Sequence, residues 1–259
     1  WYRVLIAAIT LFFYLLCKKK KLIVSFRDIM KFLGVGVLVG LHWICFFHSI
    51  KISTVSVTLV TLSALTLFTA ILAPLFYKRR ISVGDVIVGL VIIFGIYLIF
   101  KFEFQYWEGI LFGLLAALFA SIFSILNGKM VKANSPTIIT FYEMLGAWIG
   151  VSIIMACTGQ FDQQMMLSST DLIYLLVLGS VCTALAYVLG VAVMKELSAF
   201  TVALTTNLEP VYGILLAMLI IGQKEKMSSG FYAGAIIILG AVFLYPLIKT
   251  QFQKRKTVQ

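Results

Sequence analysis

The polar residues able to do chemistry in this sequence are few, and the densest group is Thr206-Asn207-Leu208-Glu209-Pro210. Proline has no N–H to donate, so Pro210 leaves the carbonyl four residues back, that of Thr206, without a helical partner. A carboxylate, an amide and a freed carbonyl side by side would hold a polar substrate or a proton; the alternative is that Glu209 caps a kink through buried hydrogen bonds. Glu143 is the second isolated acid, and His42 beside Trp43 completes a short roster of pocket candidates. His42 and His48 lie six residues apart, about 240° around a helix, so they do not share one metal. Neither belongs to an HExxH pattern. Gly34, Gly36 and Gly40 have the wrong spacing for a dinucleotide loop and follow no strand. There is no GxxxxGK[ST] loop, no GxSxG and no pair of intramembrane aspartates. Cys17, Cys45, Cys157 and Cys182 stand singly, as free thiols would. No catalytic residue, cofactor or metal is expected.

The elements that must position these residues follow from composition. Of 259 residues, 62% are hydrophobic and 12% charged, a balance that suits lipid rather than water. With no water to satisfy backbone groups, long apolar runs must close their own hydrogen bonds. Residues 83–100 show no period of two and are too long for barrel strands, so helices are predicted. Spans fall near 2–17, 29–50, 54–77, 83–100, 107–128, 137–158, 171–194, 198–221 and 230–248, joined by short polar connections. Within them Glu143 and Glu209 are the acids well inside a span; Asp85, Glu108 and Asp171 lie at span ends. A central carboxylate costs about 3 kcal/mol to insert, which favours a polar cavity or a bound proton.

The net charge of +11 could mean nucleic-acid binding, but its distribution argues against that. Arg3, Lys51, Lys101, Lys224 and Lys226 fall on one side of the membrane and the other 16 of the 21 Lys and Arg residues on the opposite side. Cytoplasmic loops retain positive charge, so the C-terminus is predicted inside the cell, with lipid headgroups as secondary contacts.

An internal repeat links residues 50–98 to 194–244 at an offset of about 144. Lys51-Ile52-Ser53-Thr54 faces Lys195-Glu196-Leu197-Ser198, Ile81-Ser82 faces Met227-Ser228, and Gly89 and Gly95 face Gly234 and Gly240. Trp43 faces Tyr187, making that pair candidates for a central cavity, and Trp1-Tyr2-Arg3 aligns with Phe141-Tyr142-Glu143 at about 140. Arg3 and Glu143 would enter from opposite faces and need not touch. The helix at 107–128 has no counterpart after residue 1, so the expectation is an inverted pair of five-helix halves whose first helix is missing here, with nine spans present. The halves are 1–101 and 102–249, followed by a basic cytoplasmic tail at 250–259. Such repeats underlie many secondary transporters. Four GxxxG pairs (Gly36 and Gly40, Gly109 and Gly113, Gly146 and Gly150, Gly230 and Gly234) permit close helix approach and admit a homodimer.

Several segments are recognisable: Gly40-Leu41-His42-Trp43, Phe46-Phe47-His48-Ser49-Ile50-Lys51-Ile52-Ser53, Thr66-Leu67-Phe68-Thr69-Ala70 and Asn207-Leu208-Glu209-Pro210-Val211-Tyr212. Together they resemble the EamA family of the drug/metabolite transporter superfamily, over essentially the whole chain. The resemblance implies an all-α polytopic protein of the inner membrane that moves a small metabolite, such as an amino acid or related compound, with export favoured. A membrane-embedded enzyme or a channel-like or structural membrane protein is the alternative. The family's proline near the middle of the fourth helix is present in the second half as Pro210, whereas Thr66 stands there in the first half, so the sequence signals a proline break in one half only.

Overall fold

The computed structural model describes residues 1–19, 24–78, 83–162 and 165–257. Lys20, Lys21, Arg79, Arg80, Ile81 and Ser82, used above for charge and repeat, lie outside the described residues, as do Gln163 and Gln164. The described residues are helical with short turns between. In chain order the helices are α1 (Tyr2–Cys17), α2 (Phe26–Ile52), α3 (Val55–Leu62), α4 (Leu65–Phe76), α5 (Val83–Phe102) and α6 (Trp107–Met130). They continue with α7 (Pro136–Thr158), α8 (Ser169–Gly179), α9 (Ala186–Val193), α10 (Ala199–Thr206), α11 (Leu208–Ile220) and α12 (Ser229–Thr257). Six helical segments are long and apolar enough to cross a bilayer: Phe26–Ile52, Val55–Phe76, Phe104–Met130, Pro136–Thr158, Ser169–Val193 and Ala199–Ile220. Tyr2–Cys17, Ile87–Phe102 and Ser229–Tyr245 are shorter apolar helices.

Local chemistry sets several of these boundaries. Pro136 opens α7 behind Ser135, a position where its missing N–H costs nothing. Gly159 ends α7 in the left-handed conformation, with φ 66°. A reciprocal capping box opens α8: the Asp171 N–H donates to Ser168 Oγ (3.1 Å) and the Ser168 N–H to the Asp171 carboxylate (3.1 Å).

The chain divides into two compact units that both draw on the two sequence halves. The first comprises residues 1–44 and 126–198, the second 45–125 and 199–259. In the first unit, α1 buries Val4, Ala7, Ala8, Leu11 and Leu15, one helical stripe, and packs on α7 and α8. Gly36 of α2 sits against the Glu143 backbone, and Gly146 of α7 against the Leu33 backbone. These glycines are used within the chain to bring α2 and α7 to backbone contact.

The second unit has its largest interface between α5 and α12, where Gly95 and Gly234 meet and Ile92, Ile99, Ile238 and Val242 are fully buried. Here α3 packs on α11 and α4 on α10. Apart from its first residue, α3 is buried throughout. Its hydroxyls bond back to its own helix: Thr58 Oγ1 donates to Thr54 O (2.9 Å) and Thr61 Oγ1 to Val57 O (2.9 Å). Large apolar side chains lie outward instead, Leu219 and Ile220 being about 80% exposed, the arrangement expected where the surrounding solvent is lipid.

Two acids missed in the sequence hold helix ends in this unit. Glu225 takes the Val55 N–H (3.0 Å), the Ser56 N–H (2.9 Å) and Ser56 Oγ (2.7 Å), and Glu103 takes the Ser228 N–H (2.8 Å). Both acids are buried. A carboxylate at a helix N-terminus satisfies orphan donors and complements the dipole. Glu225→Ala would leave two N–H groups of α3 unpaired and is expected to cost about 3 kcal/mol, read as a lowered unfolding midpoint of the purified protein.

Candidate functional site

The first unit gathers three polar side chains within apolar helices. Glu143 lies seven residues into α7, roughly 10 Å along it at 1.5 Å per residue, and is fully buried. Asn127, near the end of α6, donates through Nδ2 to Glu143 Oε2 (3.2 Å) and to the Tyr187 hydroxyl (3.2 Å). Tyr187, at the start of α9, also hydrogen-bonds the Glu143 side chain. Gly36 allows α2 to approach the Glu143 backbone closely. Three elements thus converge on one carboxyl. An acid placed within an apolar span is costly and by default marks a candidate functional position.

The helix carrying Tyr187 is wound unusually just before it. Residues Ser180–Leu185 form a π-helical segment, a feature that frequently accompanies function. Thr183 Oγ1 donates to Leu178 O (2.6 Å), five residues back, and accepts from Arg3 Nε (2.7 Å). The Arg3 guanidinium also lies 4.7 Å above the Trp43 ring, a cation–π geometry. Arg3 is therefore engaged at Thr183 and Trp43, while Glu143 is held by Asn127 and Tyr187. The start of α1 is fixed by Trp1 Nε1 donating to Ser152 Oγ (2.7 Å) and the Tyr2 hydroxyl to Met165 O (2.8 Å).

The second unit holds the other candidate group. The span containing it breaks at Asn207, between α10 and α11, with Glu209 in the first turn of α11. Asn207 is buried and donates through Nδ2 to Thr66 Oγ1 (2.5 Å) and Ala203 O (2.8 Å). Thr206 returns its hydroxyl to Val202 O (2.9 Å). Pro210 is buried and Glu209 exposed. The first-half span is broken as well, at Ser63-Ala64 between α3 and α4, although no proline stands there. The two breaks fall about 144 residues apart, at the repeat offset, and Asn207 joins them through Thr66. In a double-mutant cycle of Asn207→Ala and Thr66→Ala, melting is expected to show a coupling of about 1 kcal/mol.

The sequence-selected residues thus fall into groups. Glu143 and Tyr187 meet, through Asn127, which sequence reading passed over. Trp43 meets Arg3, and His42 precedes it on α2, half-buried. Thr206, Asn207, Glu209 and Pro210 stay together at the α10–α11 break. Among the described residues no group of three His, Cys, Asp or Glu side chains could hold a metal, and all four cysteines are free thiols. A groove of about 350 Å³ beside Tyr97, Trp107 and Leu111 is almost wholly apolar and offers a polar ligand nothing to bond.

Comparison with known proteins fits this picture. The model of the EamA-like transporter family matches residues 1–101 and 107–246. An uncharacterized transporter of Archaeoglobus fulgidus is 23% identical over 201 residues, 77% of this chain and 69% of that protein. One from Clostridium kluyveri is 23% identical over 138 residues, 52% of this chain and 41% of that protein. A crystal structure superposes with a TM-score of 0.68 at 16% identity, covering 95% of this chain and 86% of the other, and shows the shared fold.

Proposed function

The chain belongs to the EamA-like transporter family of the drug/metabolite transporter superfamily and is a membrane transporter; from that premise we propose that it is a secondary transporter exporting a small polar metabolite. Its cargo is an amino acid or related compound, carried across the inner membrane by alternating access. The observation that carries this reading is the buried Asn127–Glu143–Tyr187 group: a carboxyl with neutral hydrogen-bond partners, within predominantly apolar helices. Binding within the bilayer, by groups on several helices, is how such carriers hold cargo.

The inverted repeat is part of the proposal. Its mates pack in pairs: α1 on α7, α5 on α12, and the broken span of α3 and α4 on that of α10 and α11. Alternating access built on this repeat would open the site first to one side and then to the other. The Lys and Arg distribution orients the C-terminus and the α6–α7 turn to the cytoplasm. Asn127 and Glu143 then lie toward that side, where exported cargo is collected. Trp43 and His42 stand with them in the first unit as candidate cargo contacts. In the second unit Glu209, Asn207 and Thr206 provide a separate polar set at the α10–α11 break.

The test is transport by the purified protein in proteoliposomes, screened with a panel of labelled amino acids and related metabolites under proton gradients of either sign. A carrier gives saturable flux and counterflow. Flux that rises linearly with concentration and shows no counterflow would indicate a channel and remove the proposal.

A further inference from the structure

The polar group around Glu143 is unbalanced in one direction. Both Asn127 amide hydrogens are engaged, one on Glu143 and one on Tyr187, whereas Asn127 Oδ1 and Glu143 Oε1 are buried without any hydrogen-bond partner. Thr140 Oγ1 is also buried and unpartnered. It lies one turn before Glu143 on α7, where positions i and i+3 share a helix face. The fourth unpartnered atom, Trp148 Nε1, is five residues after Glu143 and so on a different face. What is left open at Glu143 is therefore a set of oxygens, one of them on a carboxyl, and buried polar atoms are normally paired.

The chemistry of a matching guest follows. A carboxylate or phosphate brings more acceptors and is excluded. A hard metal cation takes about six oxygen ligands, twice what these side chains offer. A primary ammonium has three N–H donors and one positive charge, which answers three oxygens and one carboxylate. We propose that Glu143, Asn127 and Thr140 form a recognition site for a primary ammonium group, with Tyr187 and Asn127 holding the carboxyl in place. Tyr187 is a titratable side chain that faces Glu143, and the Glu143 carboxylate supplies the negative charge that the guest's positive charge requires. This rests on the transporter reading only in taking the ammonium to be part of the cargo.

The site can be tested separately from transport. The purified protein is melted at pH 7 and constant ionic strength with 3-methylbutylamine, its N,N,N-trimethyl derivative, 4-methylpentanoate or sodium chloride. The amine is expected to raise the midpoint saturably, as a ligand binding only the folded state must. The trimethyl cation, which has no N–H, and the carboxylate should leave it unmoved. The rise should be lost in Asn127→Ala and in Glu143→Gln. Should either variant fail to fold, protection of wild-type Glu143 from dicyclohexylcarbodiimide by the amine but not by its trimethyl derivative gives the same answer.

An equal rise with sodium would make this a metal-ion site, an equal rise with the trimethyl cation a general cation site, and no rise a place for water; each overturns the ammonium assignment. Amine-selective stabilisation in a protein that transports nothing would leave this site standing and remove the transporter proposal. Saturable counterflow of a cargo with no amine, unaffected by Glu143→Gln, would do the reverse.

Discussion

Glu143→Gln is expected to reduce saturable counterflow by about 10- to 150-fold, the equivalent of losing a hydrogen bond to a charged group worth about 1.5–3 kcal/mol. Gln has nearly the volume of Glu and can still accept from Asn127 Nδ2, so that hydrogen bond is preserved and the melting midpoint should move little. What disappears is the negative charge and the capacity to exchange a proton. Any dependence of flux on an imposed proton gradient should vanish with them if this carboxyl couples the two. Tyr187→Phe is expected to have a smaller effect, because it removes one of two partners and leaves the carboxyl in place. Measuring rate and midpoint on the same preparations separates the roles: a merely structural Glu143 would show a lowered midpoint with an unchanged rate per folded molecule.

Gly36→Ala should be among the most damaging conservative changes in the chain. A Cβ at this position would fall inside contact distance of the Glu143 carbonyl oxygen and carbon. The obstacle is backbone, which cannot rotate aside as a side chain can. Overpacking of this kind costs about 1–3 kcal/mol. It also pushes α7 away from α2 at the residue that carries the candidate site, so flux should fall further than the loss of stability alone explains. Gly34→Ala is the internal control: nothing lies within 4 Å of the added Cβ, and the lower entropy of the unfolded chain should make the change neutral or stabilising by up to about 1 kcal/mol. Thermal melts of the two variants, run beside counterflow, measure the difference.

The contrast between these two glycines shows where sequence reading ends. Both sit in one apolar span, two residues apart, and only the approach of α7 distinguishes them. The helices themselves were legible because lipid demands long apolar runs, and Pro136 marked the start of one of them, whereas the capping box at Ser168 emerged only from the structure. The four GxxxG pairs pointed correctly to close approach. The break between α3 and α4 was not legible, because no proline marks it; buried hydroxyls that bond back to their own helix and the Asn207 contact to Thr66 accompany it instead. The π-helical segment before Tyr187 has no sequence signature.

The site was legible in part for similar reasons. Glu143 stood out as an acid inside an apolar span, and Tyr187 as the repeat mate of Trp43. Asn127 did not, since it falls just before Gly128-Lys129 and reads as the polar end of a helix. Glu103 and Glu225 read as loop acids, because burial at a helix terminus depends on which distant N–H groups arrive there. Glu209, the sharpest feature of the sequence, lies exposed in the first turn of α11, whereas its neighbour Asn207 is the buried one.

The most direct measurement of the central claim is counterflow in proteoliposomes, comparing wild type with Glu143→Gln at equal amounts of folded protein. The account predicts that wild type exchanges labelled for unlabelled cargo with a saturable rate, and that the variant loses that exchange while keeping its melting midpoint. Exchange at the wild-type rate in the variant, or wild-type flux that never saturates, would contradict it.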